Sequence, residues 1–239
     1  MKAFAQRLIE RAGYRVYRER PRDLANPLPV ELAAHRSLLR ALLDDPRVDT
    51  VLDVGAHTGG YGALLRELGY AGEIVSFEPV RASFDALSTR LDERWHARRL
   101  ALGATNGTLA LNVAGESNFT SFLQPIAVER YAGSATDHVE PVEVRRLDEV
   151  ASGSRIFLKT DTQGFDLEVV EGARGVLDRV VALQVELSVM PLYEGAPDWL
   201  AALSTLRDLG FVAVSLTGVG RASLAAVEFD CLLVRDRPR

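Results

Sequence analysis

The chain has 239 residues, 47% hydrophobic and 26% charged, with a formal net charge of −5. That length suits one α/β domain with an extension, and the acidic balance argues against broad nucleic-acid binding, which needs a basic footprint. The lone Cys231 excludes an internal disulfide and a cysteine-rich zinc site, and its apolar surroundings at 229–234 read as a buried structural thiol.

Residues 1–22 carry seven basic and two acidic side chains, so this end holds +5 and the remainder −10. Phe4, Leu8, Ile9 and Ala12 fall on one helical face. Two readings stay open for that helix: peripheral contact with an anionic membrane or lipid-linked substrate, and docking on the chain's own acidic surface. No apolar run is long enough to span a bilayer, and no signal-peptide core follows Lys2, so a cytoplasmic protein is expected.

Residues 21–29 are punctuated by proline and read as a linker. The spacing of Leu32, Leu38, Leu39, Leu42 and Leu43 predicts a helix over 30–45, ended by Asp44-Asp45-Pro46. Residues 1–48 thus form an N-terminal helical extension, and 49–239 the main domain. Within it, 49–54 is a buried strand and 59–69 a helix stopped by Gly69. A strand at 74–77, a helix at 80–93 and a short third strand at 98–102 follow. Residues 108–113 and 142–147 alternate as half-buried strands do. Between them, 115–137 is rich in Ser, Thr, Asn and Gly, and reads as a loop or lid over a site. Core strands are expected at 155–160 and 180–187, helices at 165–172 and 199–209, and a closing strand pair at 211–216 and 227–234. Strand–helix alternation ending in a hairpin predicts an α/β, Rossmann-like, mostly parallel sheet with one antiparallel strand. Ligand then belongs at the C-terminal ends of the strands.

The chemistry starts at the turn Gly55-Ala56-His57-Thr58-Gly59. A dinucleotide site wants G-x-G-x-x-G, with backbone close to a pyrophosphate. Here only Gly55 and Gly59 frame the turn. That form favours S-adenosylmethionine, which has no phosphate but has an amino-acid tail and a ribose to hold. Asp53 is a natural partner for the tail's ammonium, directly or through water. Glu78 ends the second strand 19 residues after Gly59, where a carboxylate can accept hydrogen bonds from both ribose hydroxyls.

A second group of acids follows from topology. Asp161 ends the strand at 155–160, and Glu186 lies near the end of its neighbour. Asp230 starts the last, antiparallel strand, at the same sheet edge. Three converging carboxylates need compensation. A raised pKa would make one of them a base; a divalent cation such as Mg2+ would hold them together; or Lys159, Arg145 or Arg146 would pair with them. Asp161 is the first candidate base, Glu186 the second, and His138 a third from the polar insertion. Asn118, Thr120 and Ser121 are plausible ligand contacts. Tyr131, Tyr193 and Trp199 offer rings for stacking, although Trp199 begins an apolar helix and suits core packing.

The chain resembles the FkbM-type S-adenosylmethionine-dependent methyltransferases over about residues 49–235. The resemblance rests on VLDVGAHTGGYGALLRELG, IVSFEP, LALG at 100–103, VEVRRLDEV, FLKTDTQGFDLEVVEGA and LQVELSVMPLYEG. It implies a class I methyltransferase fold with a seven-stranded sheet and a small β/loop insertion. It implies cofactor contacts from Asp53, Gly55, Ala56, His57, Thr58, Gly59, Tyr61, Glu78, Pro79 and Ser121, with Leu102 beside the adenine. It implies O-methylation of a sugar, polysaccharide, glycolipid or natural-product hydroxyl, and the topology puts Asp161, Glu186 and Asp230 on the catalytic side. His57 departs from the family, which often has Asn there, and is read as a hydrogen-bonding substitute.

Three rivals are weaker. A nicotinamide-dependent reductase lacks its third glycine and a Tyr-x-x-x-Lys pair. A base-methylating enzyme would carry an Asn/Asp-Pro-Pro-aromatic stretch where this chain has Asp161-Thr162-Gln163-Gly164. A non-catalytic binding module would have no need for both Asp53 and Glu78.

Overall fold

The computed structural model describes residues 29–44, 48–115, 119–126, 135–222 and 225–236. The basic segment at 1–22, Asn118 and Tyr131 lie outside them. Helix α1 (Pro29–Leu43) buries Leu39 and Leu43 against the main sheet, so the end of the extension shares the domain's core. Strand β1 (Thr50–Val54) runs into α2 (Gly60–Glu67), then β2 (Glu73–Phe77), α3 (Arg81–Ser88) and β3 (Trp95–Arg98). Three strands then build a separate small sheet: β4 (Ala101–Leu102), β5 (Gly107–Ala114) and β6 (Thr136–Arg145), in the order β4-β6-β5. The one-turn α4 (Leu147–Val150) leads to β7 (Ile156–Thr160), α5 (Asp166–Glu171), a 3-10 turn (Arg174–Arg179) and β8 (Val180–Ser188). Helix α6 (Trp199–Asp208) precedes the closing hairpin, β9 (Phe211–Ala222) and β10 (Ala225–Arg235).

The main sheet has seven strands in the order β3-β2-β1-β7-β8-β10-β9, parallel through β8, with β10 antiparallel to both neighbours. This is the class I methyltransferase order that the motifs imply. All five residues of β1 and of β7 are buried, as central parallel strands covered on both faces must be. Alternate residues feed two cores. Leu52, Val54, Ile156 and Leu158 pack under α4, α5 and α6; Val51 and Phe157 pack under α1, α2 and α3. Among the described residues no helix is long and apolar enough to cross a membrane.

Several boundaries differ from expectation: β6 already starts at Thr136 and β9 runs on to Ala222. The third strand lies at 95–98, not 98–102, because Trp95 is the residue that enters the core and donates from Nε1 to Ser76 Oγ at 3.0 Å. The apolar run 100–102 leaves the main sheet, and its last two residues pair with β6. Helix α3 stops at Ser88 because Ser88 and Thr89 turn their hydroxyls back onto the carbonyls of Phe84 and Ala86.

Candidate active site

A cavity of about 760 Å3 opens at the C-terminal ends of the parallel strands. Its first wall is the turn after β1. Gly55 has φ +72°, and a Cβ there would lie 1.9 Å from the carbonyl oxygen of Asp161. Gly59 has φ +81°, and its Cβ would meet Leu87 at 2.7 Å. Both glycines are therefore demanded by close approach of chain to chain, and Gly59 does not reach the cavity. The sequence reading had both touching cofactor. Gly55, Ala56, His57, Thr58 and Tyr61 do line it.

Glu78 closes the same wall. Its Oε2 accepts from the His57 backbone N–H at 2.8 Å and its Oε1 from the Val80 N–H at 2.9 Å. His57 is held at φ +49°, which aims that N–H. The His57 main chain thus supplies a hydrogen bond to Glu78. Burial pushes the Glu78 carboxyl up to about 7, against the pull of its two backbone donors. Pro79, Leu102, Leu100 and Ala101 complete an apolar slot beside it, with Phe122 stacked obliquely on Phe165 at 4.9 Å.

Asp53 lies behind this wall, fully buried, and does not line the cavity. Register explains why. Ser76, Asp53, Lys159 and Gln184 are successive partners across β2, β1, β7 and β8, so they share one row on one face. Ser76 donates to Asp53 Oδ2 at 3.1 Å, and Lys159 Nζ sits 3.1 Å from Asp53 Oδ1. The ammonium also donates to the Gly55 carbonyl at 3.1 Å. Burial pulls Lys159 down, but Asp53 and Asp161 outweigh it and hold it charged. An ammonium partner for Asp53 is therefore already present in the protein, in the side chain of Lys159. Tyr61 covers the row, donating to Gln184 Oε1 at 2.7 Å.

The opposite wall brings together all three acids expected there. Asp161, Glu186 and Asp230 line the cavity, and Asp230 faces Glu186 directly across β10 and β8. The sequence reading missed Glu228, which lies two residues before Asp230 and therefore on the same strand face. It accepts from Ser188 Oγ at 2.9 Å. Burial raises Glu186 well above the usual range, Glu228 to about 7 and Asp230 to about 6. Of the three basic partners considered, only Lys159 reaches the group, 3.6 Å from Asp161 Oδ2. Arg145 pairs with Glu149 and Arg146 with Asp148. Among the described residues no three His, Cys, Asp or Glu side chains are gathered as metal ligands.

Gln163 was also missed. It occupies the turn after β7 with φ +53°. Its Nε2 donates to Glu186 Oε2 at 2.6 Å and to Asp161 Oδ1 at 3.1 Å. Its Oε1 accepts from the Tyr193 hydroxyl at 2.7 Å, and its backbone carbonyl accepts from Ser121 Oγ at 2.7 Å. Only the adjacent Gly164 hinted at such a turn. Thr120 and Ser121 line the cavity as expected. Tyr193 is buried behind Gln163, and Trp199 packs on Phe229 at 5.9 Å. His138 projects from β6 beside Asp137, away from the cavity, and is not a base there.

The model of the FkbM methyltransferase domain matches residues 53–213. No curated protein is similar enough to match the chain. Among solved structures, the chain is similar to magnesium protoporphyrin IX methyltransferase from Synechocystis PCC 6803 with bound S-adenosylmethionine, at 13% identity over 98% of this chain and 97% of that one, TM-score 0.44. It is also similar to the 1,6-didemethyltoxoflavin-N1-methyltransferase of Burkholderia thailandensis, at 11% identity over 87% and 79%, TM-score 0.49. A third is a putative RNA methyltransferase from Pyrococcus horikoshii, at 13% identity over 97% and 98%, TM-score 0.47.

Proposed function

The chain belongs to the FkbM methyltransferase family and is an S-adenosylmethionine-dependent methyltransferase; from that premise we propose that it methylates a hydroxyl of a small neutral acceptor, a sugar or a polyhydroxylated natural product. The observation that carries this reading is a single cavity running from Glu78 to Asp161 and Glu186. Residues 49–239 form the methyltransferase domain, with 1–48 as its extension.

The cofactor half fits the group. Glu78 presents a fixed carboxylate to the ribose hydroxyls, the 100–102 segment and Phe122 give the adenine an apolar slot, and Ala56 to Thr58 with Tyr61 border the amino-acid tail. Bound there, the cofactor supplies a methyl group already activated on a sulfonium. The protein's share is to hold the acceptor oxygen in line, worth on the order of 7–11 kcal/mol of barrier, and to take its proton. Asp161, with Lys159 Nζ 3.6 Å from its Oδ2, takes that proton. A positioned base contributes about 10²–10⁴-fold.

The cavity lining holds five carboxyl side chains, Glu78, Asp161, Glu186, Glu228 and Asp230, against Lys159. Sugar hydroxyls can donate to these carboxyls or accept from their protonated forms, whereas a polyanionic acceptor such as nucleic acid meets few cationic partners in this lining. A cytoplasmic location goes with this reading, and Mg2+ has no part in it, because among the described residues the carboxylates are not gathered as a ligand set. Release of S-adenosylhomocysteine in the presence of a panel of neutral glycosides tests the proposal. Turnover on phosphorylated acceptors alone, or on amines alone, overturns the hydroxyl assignment.

A further inference from the structure

We propose that the cavity ends in an apolar subsite, formed by Val219, Val227, Leu192 and Phe119, which takes an alkyl group carried by the acceptor. The substrate is then an alkyl-substituted sugar or polyol and not a free sugar. This inference rests on the methyl-transfer reading of the same cavity and narrows its acceptor. Sheet order lays the cavity out. Glu78 follows β2, the turn at 55–59 follows β1, and Asp161 follows β7. Glu186 and Asp230 face each other across β8 and β10, and Val219 lies on the edge strand β9. Neighbouring strands are about 4.8 Å apart, so β9 lies three spacings, roughly 14 Å, from the strand that presents Asp161. That exceeds the width of one sugar ring. An acceptor that meets Asp161 and fills the cavity therefore extends past its reacting ring.

The wall changes chemistry along that path. Ser188, Glu228 and Val219 are successive partners across β8, β10 and β9, so one row passes from polar to apolar at the sheet edge. Val227, Leu192 and Phe119 continue the apolar lining there. Val227 and Leu192 are buried and pack together, with Met190 and Leu123 against them. Their main-chain carbonyls are already bonded: Val227 accepts from the Val189 and Met190 N–H groups at 2.8 and 3.1 Å, and Leu192 from the Ile126 N–H at 2.8 Å. The same bonds fix this wall before anything binds it. A sugar hydroxyl pressed against it would lose water and gain no partner. An alkyl chain there leaves water at a gain of roughly fourfold in affinity for each methylene buried.

The test compares methyl and octyl glycosides of the same neutral sugars on the full-length chain, the octyl forms kept below their micelle concentration. For whichever sugar is methylated, kcat/KM should be about tenfold or more higher with the octyl glycoside, the gain from two or more buried methylenes. Val219→Thr keeps the side chain's shape but puts a hydroxyl in the subsite, and it should cut the octyl-to-methyl ratio several-fold. Val212→Thr, on the same strand but outside the cavity, should leave the ratio as in wild type. A second readout needs no turnover. With S-adenosylhomocysteine added and the Val and Leu methyl groups 13C-labelled, the octyl chain should give nuclear Overhauser contacts to Val219, Val227 and Leu192. Equal kcat/KM for the two glycosides, a ratio indifferent to Val219→Thr, or contacts that are absent or confined to the exposed Val212 and Val214 of β9 overturns the subsite. Octyl contacts at Val219, Val227 and Leu192 without methylation of any glycoside support the subsite and overturn the hydroxyl acceptor instead.

Discussion

In and behind the cofactor wall, each acid has donors built for it. Glu78 accepts two backbone N–H groups, and Asp53 accepts Ser76 and faces Lys159. In the acceptor half, Glu186 and Glu228 have neutral donors, Gln163 and Ser188, and Asp230 faces Glu186 across the strands. The first half is arranged in advance, so its geometry is fixed before ligand arrives. The second half carries protons and exchanges them with pH and with whatever binds. Cofactor recognition should therefore depend on single contacts, and acceptor chemistry on protonation.

The largest effect should come from breaking the wired half. Lys159→Met leaves Asp53 buried without its cation, a defect typically costing 3–5 kcal/mol. A steep loss of thermal stability is expected, partly recovered in Asp53→Asn/Lys159→Met; no recovery in the double variant would show that the pair is not the cause. Next, Asp161→Asn should lower turnover by about 10²–10⁴-fold while leaving S-adenosylmethionine affinity within a few-fold. Equal loss of cofactor affinity would erase the division between the halves.

Glu78 gives a pH signature. Its carboxyl is pushed up to about 7, chiefly by burial, and ribose hydroxyls donate best to the ionised form. Cofactor affinity should tighten as pH rises from 6 to 8, and this dependence should vanish in Glu78→Gln. The smallest effect belongs to Glu228. Its folded-state value of about 7 exceeds the ordinary 4.5, so the native state holds a proton that the unfolded chain has lost between those values. Its contribution to stability is then full below the ordinary value and is lost as pH rises through about 7. Glu228→Gln should accordingly raise Tm by a few degrees at pH 8 and by less at pH 5, where about 1 kcal/mol corresponds to 2–4 °C for a chain of this size.

What could be read from the sequence follows the same divide. The turn after β1, the acid ending β2 and the alternation of strands and helices are local signals, so the fold and the cofactor wall were legible. That Asp53 and Gly59 sit behind the cavity wall could not be read locally, because their neighbours, Lys159 and Leu87, come from other segments. Glu228 was hidden by reading Asp230 alone instead of its strand face. Gln163 escaped because its role depends on three partners, at 161, 186 and 193, brought together only by the fold. The third strand was displaced because the apolar run at 100–102 serves the cavity and the small sheet, while Trp95 anchors the strand.

The account stands most directly on cofactor binding at Glu78. Calorimetric titration of the wild-type chain, Glu78→Ala and Asp161→Asn with S-adenosylmethionine tests it in one series. The account predicts binding to wild type and Asp161→Asn alike, with about a 10²-fold loss in Glu78→Ala from two charge-assisted hydrogen bonds. Binding that is indifferent to Glu78, or absent from the wild type, would contradict it.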